Sequence, residues 1–155
     1  MVACAGRESA QGKDAVTGWI LNIAYAMLIL AAAPLLAWRA VRQGKYRQGG
    51  AAKLLGRLPR TDDGQRIVWL HAVSVGEVLQ LRTIVPRLRE QRPDCGLLIT
   101  TTTSTGYAVA QETFSDCRVS YFPLDFTWAV RAALARVRPV MVVLVELELW
   151  PNFIR

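Results

Sequence analysis

An open α/β domain built on a parallel sheet is the architecture that this chain of 155 residues predicts. Three observations carry the prediction. Short apolar runs at 67–73, 96–101, 118–122 and 140–145 alternate with segments of helical period at 77–91, 104–114 and 127–137. Such alternation implies right-handed βαβ units, and so parallel strands. The last run, VMVVLV, has no polar alternation, as a strand covered on both faces should read. The first run, IVWLHAV, ends in the small residues SVG and one carboxylate, Glu77. That is the form of a buried strand delivering a side chain to the mouth of a sheet.

The upstream third has a different character. Residues 1–14 are polar and balanced in charge, and read as a disordered lead-in. The stretch 15–38 carries no charge. As a helix it extends roughly 36 Å at about 1.5 Å per residue, against a hydrocarbon core of roughly 30 Å. Trp19 and Trp38 stand at the two ends, where amphipathic aromatics sit at a membrane interface, and Pro34 is tolerable near such an end. A cleaved signal peptide calls for a positive leader, which this chain lacks, and a buried globular helix is usually shorter. The segment therefore reads as a membrane anchor. If it spans, the positive-inside rule puts Arg39 onward in the cytoplasm; a helix lying on anionic lipid gives the same compartment.

Residues 39–65 read as a basic juxtamembrane segment. Arg39, Arg42, Lys45, Arg47, Lys53, Arg57 and Arg60 fall in a stretch, 39–60, that holds no acid. They are part of a net charge of +7 and a pI near 9.9. Such a block suits phosphate, on lipid or on nucleic acid. The nucleic-acid alternative lacks interleaved aromatics apart from Tyr46 and lacks a recognition motif. TDDGQ at 61–65 reads as the turn between anchor and domain, so that the α/β domain begins at 66 and runs to 155. Hydrophobic residues make up 52% and mean hydropathy is +0.22, an excess to which the anchor contributes. Cys4, Cys95 and Cys117 are far apart and form no CxxC pair, which argues against a zinc site and fits a reducing compartment.

Within the domain, the 77–91 helix has Val78, Leu81, Val85 and Leu88 on one face and Pro93 past its end. Ser104 or Thr105 can cap the next helix. The 127–137 helix stops at Arg138, because a residue before proline avoids the helical region. After the fourth strand the chain enters the first turn of a further helix.

Chemistry in such a sheet sits beyond the carboxyl ends of the strands, where strand order reverses. In the order 3-2-1-4, Glu77 after the first strand and Glu146 after the fourth face one crevice. A plainer role stands beside this one. A first-turn carboxylate offsets the helix dipole by roughly 0.3–1 kcal/mol, and Glu77, Glu146 and Glu148 could each do only that. The turn Ser74-Val75-Gly76 offers small groups and N–H donors to a sugar hydroxyl or a phosphate. TTTSTG at 101–106 gives hydroxyls, including Thr103 and Thr105, whose simpler uses are strand propensity and a helix cap. His71, the one histidine, reads as a packed or hydrogen-bonded residue at a strand end. Ala72 replaces the first glycine of a nucleophile elbow, and the sequence has no Walker A and no G-x-G-x-x-G. No His and carboxylate cluster has metal-ligand spacing.

The strings HAVSVGE at 71–77, TTSTGY at 102–107, YFPLDF at 121–126, RVRP at 136–139 and ELELWPN at 146–152 then resemble, in order and spacing, the N-terminal domain of the 3-deoxy-D-manno-octulosonic acid (Kdo) transferases. KYRQG and KLLGRLP upstream are similar to the same family, so the resemblance covers about 18–155. It implies a two-domain GT-B glycosyltransferase on the cytoplasmic face of the Gram-negative inner membrane. Such an enzyme moves Kdo from CMP-Kdo to a lipid A precursor, lipid IVA, and needs no cofactor beyond that sugar-nucleotide donor. By resemblance Glu77 is the general base of an inverting transfer and Glu146 stabilises the transition state. Ser74, Gly76, Thr103, Thr105 and Glu148 are then expected to bind substrate, with no metal. Leu147 stands where the family usually has threonine. The donor-binding domain would lie past Arg155, so the expectation is an N-terminal portion that is inactive alone. Two alternatives remain at this point: the acceptor half of another membrane-associated GT-B lipid glycosyltransferase, or a non-catalytic membrane-tethered binding module.

Overall fold

The computed structural model describes residues 17–28, 30–34, 49–61, 64–146 and 150–154. The expected lead-in at 1–14, the residues from 35 to 48 and the triplet Leu147, Glu148 and Leu149 lie outside them. Four strands, β1 (Arg66–His71), β2 (Cys95–Thr101), β3 (Arg118–Tyr121) and β4 (Met141–Leu144), form one sheet in the order β3-β2-β1-β4. All three pairings are parallel. This is the predicted Rossmann-like arrangement. Two helices precede β1, α1 (Thr17–Pro34) and α2 (Gly50–Leu55). Each crossover then carries one: α3 (Val75–Gln91), α4 (Ser104–Thr113) and α5 (Thr127–Val137). The short α6 (Pro151–Ile154) follows β4.

Strand geometry explains the unbroken apolar run of β1. Successive side chains point to opposite faces, and both faces are covered. Val68 and Leu70 pack with Val78, Leu81 and Val85 of α3 and Ala110 of α4. Ile67 and Trp69 pack on the other side with Ala133 and Val137 of α5 and with Leu58 and Phe122. Burying each of Val78, Leu81 and Val85 stabilises the fold by roughly 1.5–3 kcal/mol. α3 also carries Pro86 in its interior, on the exposed face, where the carbonyl left without its helical donor is open to solvent.

Three expectations need correction. The cap of α4 is neither Ser104 nor Thr105 but Thr103, whose extended backbone (φ −96°, ψ 149°) turns its hydroxyl to accept from Gly106 N at 3.0 Å. α3 begins at Val75 rather than at Glu77, because Ser74 is its cap. β4 is shorter than expected and only half-buried: Met141 is exposed, while Val142 packs against the α5-side core and Val143 and Val145 against the α3-side core. Among the described strands it pairs only with β1, and its alternate side chains reach both cores, as the unbroken apolar run predicts.

The described part of the basic segment, 49–61, packs onto the domain. Leu58 is fully buried beneath α5, Leu124 N donates to Lys53 O at 2.7 Å, and Trp128 Nε1 donates to Leu54 O at 2.9 Å. Thr61, at the start of the expected separating turn, donates its hydroxyl to Val137 O at 3.0 Å. α5 ends as the sequence requires. Arg138, before Pro139, leaves the right-handed region for φ 45°, ψ 55°.

α1 is long and apolar enough to cross a membrane, judged by length and composition alone. One of its faces is docked. Gly18 is buried, Asn22 Oδ1 accepts from Thr127 N at 3.1 Å and from Thr127 Oγ1 at 3.0 Å, and Tyr25 OH donates to Asp125 Oδ2 at 3.0 Å. The spacing 18, 22, 25 is one helical face. Trp19, Ile20, Ile23, Met27, Leu28 and Leu30 turn away from the domain and are exposed.

Candidate active site at the carboxyl end of the sheet

β1 ends at His71, and Ala72 N still donates to Thr100 O at 2.9 Å, so the chain leaves the sheet only at Val73. Ser74 then caps α3 with Glu77 as its reciprocal partner. The Glu77 carboxylate is buried, with 6% of the residue exposed. Its Oε1 accepts from Ser74 Oγ at 2.7 Å and from Ser74 N at 3.2 Å, and its Oε2 accepts from Val73 N at 2.7 Å. A carboxylate has about four acceptor positions. Three are occupied by the turn that presents it, and the open one is on Oε2. The side chain therefore has one orientation and can take one further proton donor.

The TTTSTG motif supports this arrangement from behind. Thr101 Oγ1 donates to Val73 O at 2.9 Å and Thr103 Oγ1 donates to the same oxygen at 3.2 Å. Val73 O and Ser74 N belong to one peptide unit, so two hydroxyls polarise the amide that faces Glu77. Gly106 is what allows the approach: a Cβ there would lie 2.5 Å from Thr101 Oγ1 and 2.8 Å from Thr103 Oγ1.

The expected site residues thus divide. Ser74, Glu77 and Thr103 come together in one hydrogen-bonded turn, with the Thr103 hydroxyl engaged by the protein itself. Thr105 lies at the rim, exposed, its hydroxyl 3.5 Å from that of Thr103. Gly76 is exposed, and a Cβ there would meet only Ser74 Oγ at 3.9 Å, so nothing steric requires glycine. Glu146 is exposed just past β4, at the same end of the sheet. The residue before it, Val145, donates its N–H to His71 O at 3.0 Å. Glu148 lies outside the described residues. Among the described residues no three of His, Cys, Asp and Glu are grouped to hold a metal ion.

His71 is buried, stacks on Phe122 with centroids 3.8 Å apart, and places Nδ1 3.1 Å from Thr100 O. The same nitrogen is 3.1 Å from Thr100 Oγ1, so one residue of β2 holds the ring by its backbone and its side chain. Burial pushes the ring's pKa down to about 4, against the opposing pull of the Thr100 carbonyl and the Glu77 charge. The ring is neutral at pH 7, which makes it a packing and orienting group. The same shift makes stability depend on pH. Between pH 6.5 and about 4 the unfolded chain binds a proton that the folded chain refuses, so stability falls as pH falls. Urea unfolding should show the wild type losing about 2 kcal/mol between pH 7.5 and pH 5 beyond what His71→Phe loses. Equal losses in the two proteins would contradict the assignment.

Two contributors are not singled out by the sequence. Thr101 sits inside a motif whose other threonines draw the attention. Asp125, in YFPLDF, is 5% exposed; its Oδ2 accepts from Tyr25 OH at 3.0 Å and Asn152 N at 2.9 Å, and its Oδ1 accepts from Phe153 N at 2.9 Å. Burial pushes this carboxyl up while the donors hold it down. Phe153 completes the arrangement by packing edge-on to Trp69, with centroids 5.3 Å apart.

A parallel sheet with an oriented carboxylate at the carboxyl end of a central strand defines an α/β ligand-handling domain of the Rossmann-like class, the class to which GT-B N-terminal domains belong. The profile of the 3-deoxy-D-manno-octulosonic-acid transferase (kdotransferase) family matches residues 42–155. This chain belongs to that family, whose curated members are named as transferases. It is 34% identical over 125 residues to the 3-deoxy-D-manno-octulosonic acid transferase of Chlamydia pneumoniae, covering 79% of this chain and 29% of that protein. It is 32% identical over 146 residues to that of Bordetella pertussis, covering 84% and 33%. With that of Haemophilus influenzae it shares 35% over 88 residues, covering 56% and 21%. The chain spans about a third or less of the length of these relatives.

Proposed function

We propose that this chain is the acceptor-handling part of an inverting glycosyltransferase that moves Kdo from CMP-Kdo to a lipid A precursor, lipid IVA, in lipopolysaccharide biosynthesis. The observation that carries the proposal is the single open acceptor position on Glu77 Oε2, in a carboxylate fixed by Val73 N, Ser74 N and Ser74 Oγ. In the proposed step the acceptor hydroxyl loses its proton to Oε2 as its oxygen bonds to the anomeric carbon. The bond from that carbon to the CMP phosphate breaks with inversion, and CMP leaves with the electron pair. Glu146 faces the positive charge that develops on the sugar ring. The rim hydroxyl of Thr105 is available to the acceptor, whereas Ser74 and Thr103 act by holding the turn. The proposed steps draw on these side chains and the sugar-nucleotide donor alone.

The proposed location is the cytoplasmic face of the inner membrane. Supporting it are the outward apolar face of α1, the exposed Leu54, Leu55 and Trp128 on the adjoining surface, and the exposed cation of Arg57 beside them. In this division residues 15–38 anchor, the basic 39–65 meets lipid phosphate, and 66–155 form the acceptor-side domain. The test is transfer of labelled Kdo from CMP-Kdo to lipid IVA by the product of the whole reading frame in bilayers. Labelled lipid of inverted configuration is expected. An unlabelled lipid beside an active control enzyme overturns the proposal.

A further inference from the structure

The carboxylate of Asp125 joins two groups from opposite ends of the chain, Tyr25 and Asn152. It is the most buried carboxylate among the described residues, at 5% exposure. Its donors come from α1 on one side and from the first amides of α6 on the other. Its own carbonyl accepts from Asn152 Nδ2 at 2.5 Å, and the next element is tied to α1 as well, through Asn22 and Thr127. The described ends of the connection from β4, which begins with Val145 and Glu146, to α6 are thus each held. Val145 N bonds to His71 O at its start, and Asp125 grips Asn152 and Phe153 at its end.

We infer that Asp125 is a positioning residue through which the docking of α1 sets the placement of the connection bearing Glu146. The inference rests on the proposed transfer for its catalytic consequence, and on the geometry alone for the mechanical link. A buried carboxylate that gives up one of three donors does not keep the other two unchanged. Its rotamer loses one of the contacts that fix it, and without a donor that offsets the cost of burial the carboxyl moves toward its neutral form, a weaker acceptor. Removing the Tyr25 hydroxyl therefore loosens the grip on Asn152 and Phe153 even though those groups do not bond to that hydroxyl. Asp125→Asn goes further, because an amide nitrogen faces backbone N–H donors that it cannot accept from. The aromatic contacts of Phe153 with Trp69 and Phe122 keep α6 on the domain in both variants, so what changes is the aim of the connection and not the fold.

The experiment uses the product of the whole reading frame in bilayers and has two arms. In hydrogen exchange, Tyr25→Phe should speed exchange of the Asn152 and Phe153 amides about tenfold while the β1 amides stay protected. Unchanged exchange at those two amides overturns the link whatever the enzyme does. In the transfer assay with CMP-Kdo and lipid IVA, Asp125→Asn should lower kcat about 10- to 100-fold, with KM for CMP-Kdo within about twofold of wild type. Tyr25→Phe should lower kcat about fivefold, and the double variant should match Asp125→Asn alone. Additive losses, or a loss confined to KM, overturn the positioning role. Should Asp125→Asn fail to fold, Tyr25→Phe carries both arms. A wild type that transfers no Kdo sinks the proposed reaction, and the exchange arm then decides the mechanical link by itself.

Discussion

Glu77→Gln should leave the domain folded and abolish the proposed transfer, with kcat falling by about 10²–10⁴-fold, the range that general-base catalysis contributes. The two halves of that result have separate causes. Glutamine retains one carbonyl oxygen at N3, which keeps the reciprocal cap with Ser74, while its amide nitrogen faces Val73 N at a cost of about 1–3 kcal/mol that the fold can bear. What it cannot do is take a proton at Oε2. Glu77→Ala should lose both functions, because Val73 N and Ser74 N are left without their acceptor in a part-buried turn, at a cost of about 1–3 kcal/mol. Comparing the two variants in the same transfer assay and in urea unfolding separates base from cap. A glutamine variant with near-normal kcat would leave Glu77 with a purely architectural role.

The second large effect lies far from the crevice. Gly56 ends α2 at φ 61°, and a Cβ there would stand 1.9 Å from Ala129 O and 2.9 Å from Ala133 N, both backbone atoms of α5. Neither can move without unwinding α5, and the conformation itself disfavours any side chain. Gly56→Ala should therefore destabilise the protein by about 3 kcal/mol or more. Gly50→Ala is the natural control, since it lies in the same helix with nothing within 4 Å of its added Cβ. Urea midpoints measure both. A Gly56→Ala variant within about 1 kcal/mol of wild type would show that α2 does not seat on α5 as described.

How far these features can be read in advance depends on the range of the forces behind them. The strands and α5 are legible because period and burial are local properties of a run, as VMVVLV and TWAVRAALARV show. The strand order follows the common pattern for right-handed crossovers. Glu77 at the mouth of β1 is legible too, because a strand, a small turn and a carboxylate lie in consecutive positions. What escapes is mostly long-range. Nothing in KLLGRLP announces that Leu58 fills the space under α5, since Ala133 and Val137 belong to an element three strands later. Asn22 and Tyr25 look like polar interruptions of an apolar run until Thr127 and Asp125 are opposite them. The expected α4 cap is off by one residue, because the consecutive hydroxyl side chains from Thr101 to Ser104 offer equivalent candidates and only Gly106 N selects one.

The pairing of β1 also shapes the time course of synthesis. Val68 pairs on one side with Leu97 and on the other with Met141, which comes two crossovers later in the chain. At about 5–20 residues per second, the second edge of β1 waits roughly 4–15 s for its partner after leaving the ribosome. Over that interval a fully apolar stretch of the sheet displays a row of unpaired amides beside Trp69. The interval between the emergence of β1 and that of β4 is therefore when this protein most needs a chaperone, and slow codons placed between 72 and 140 would lengthen the exposure.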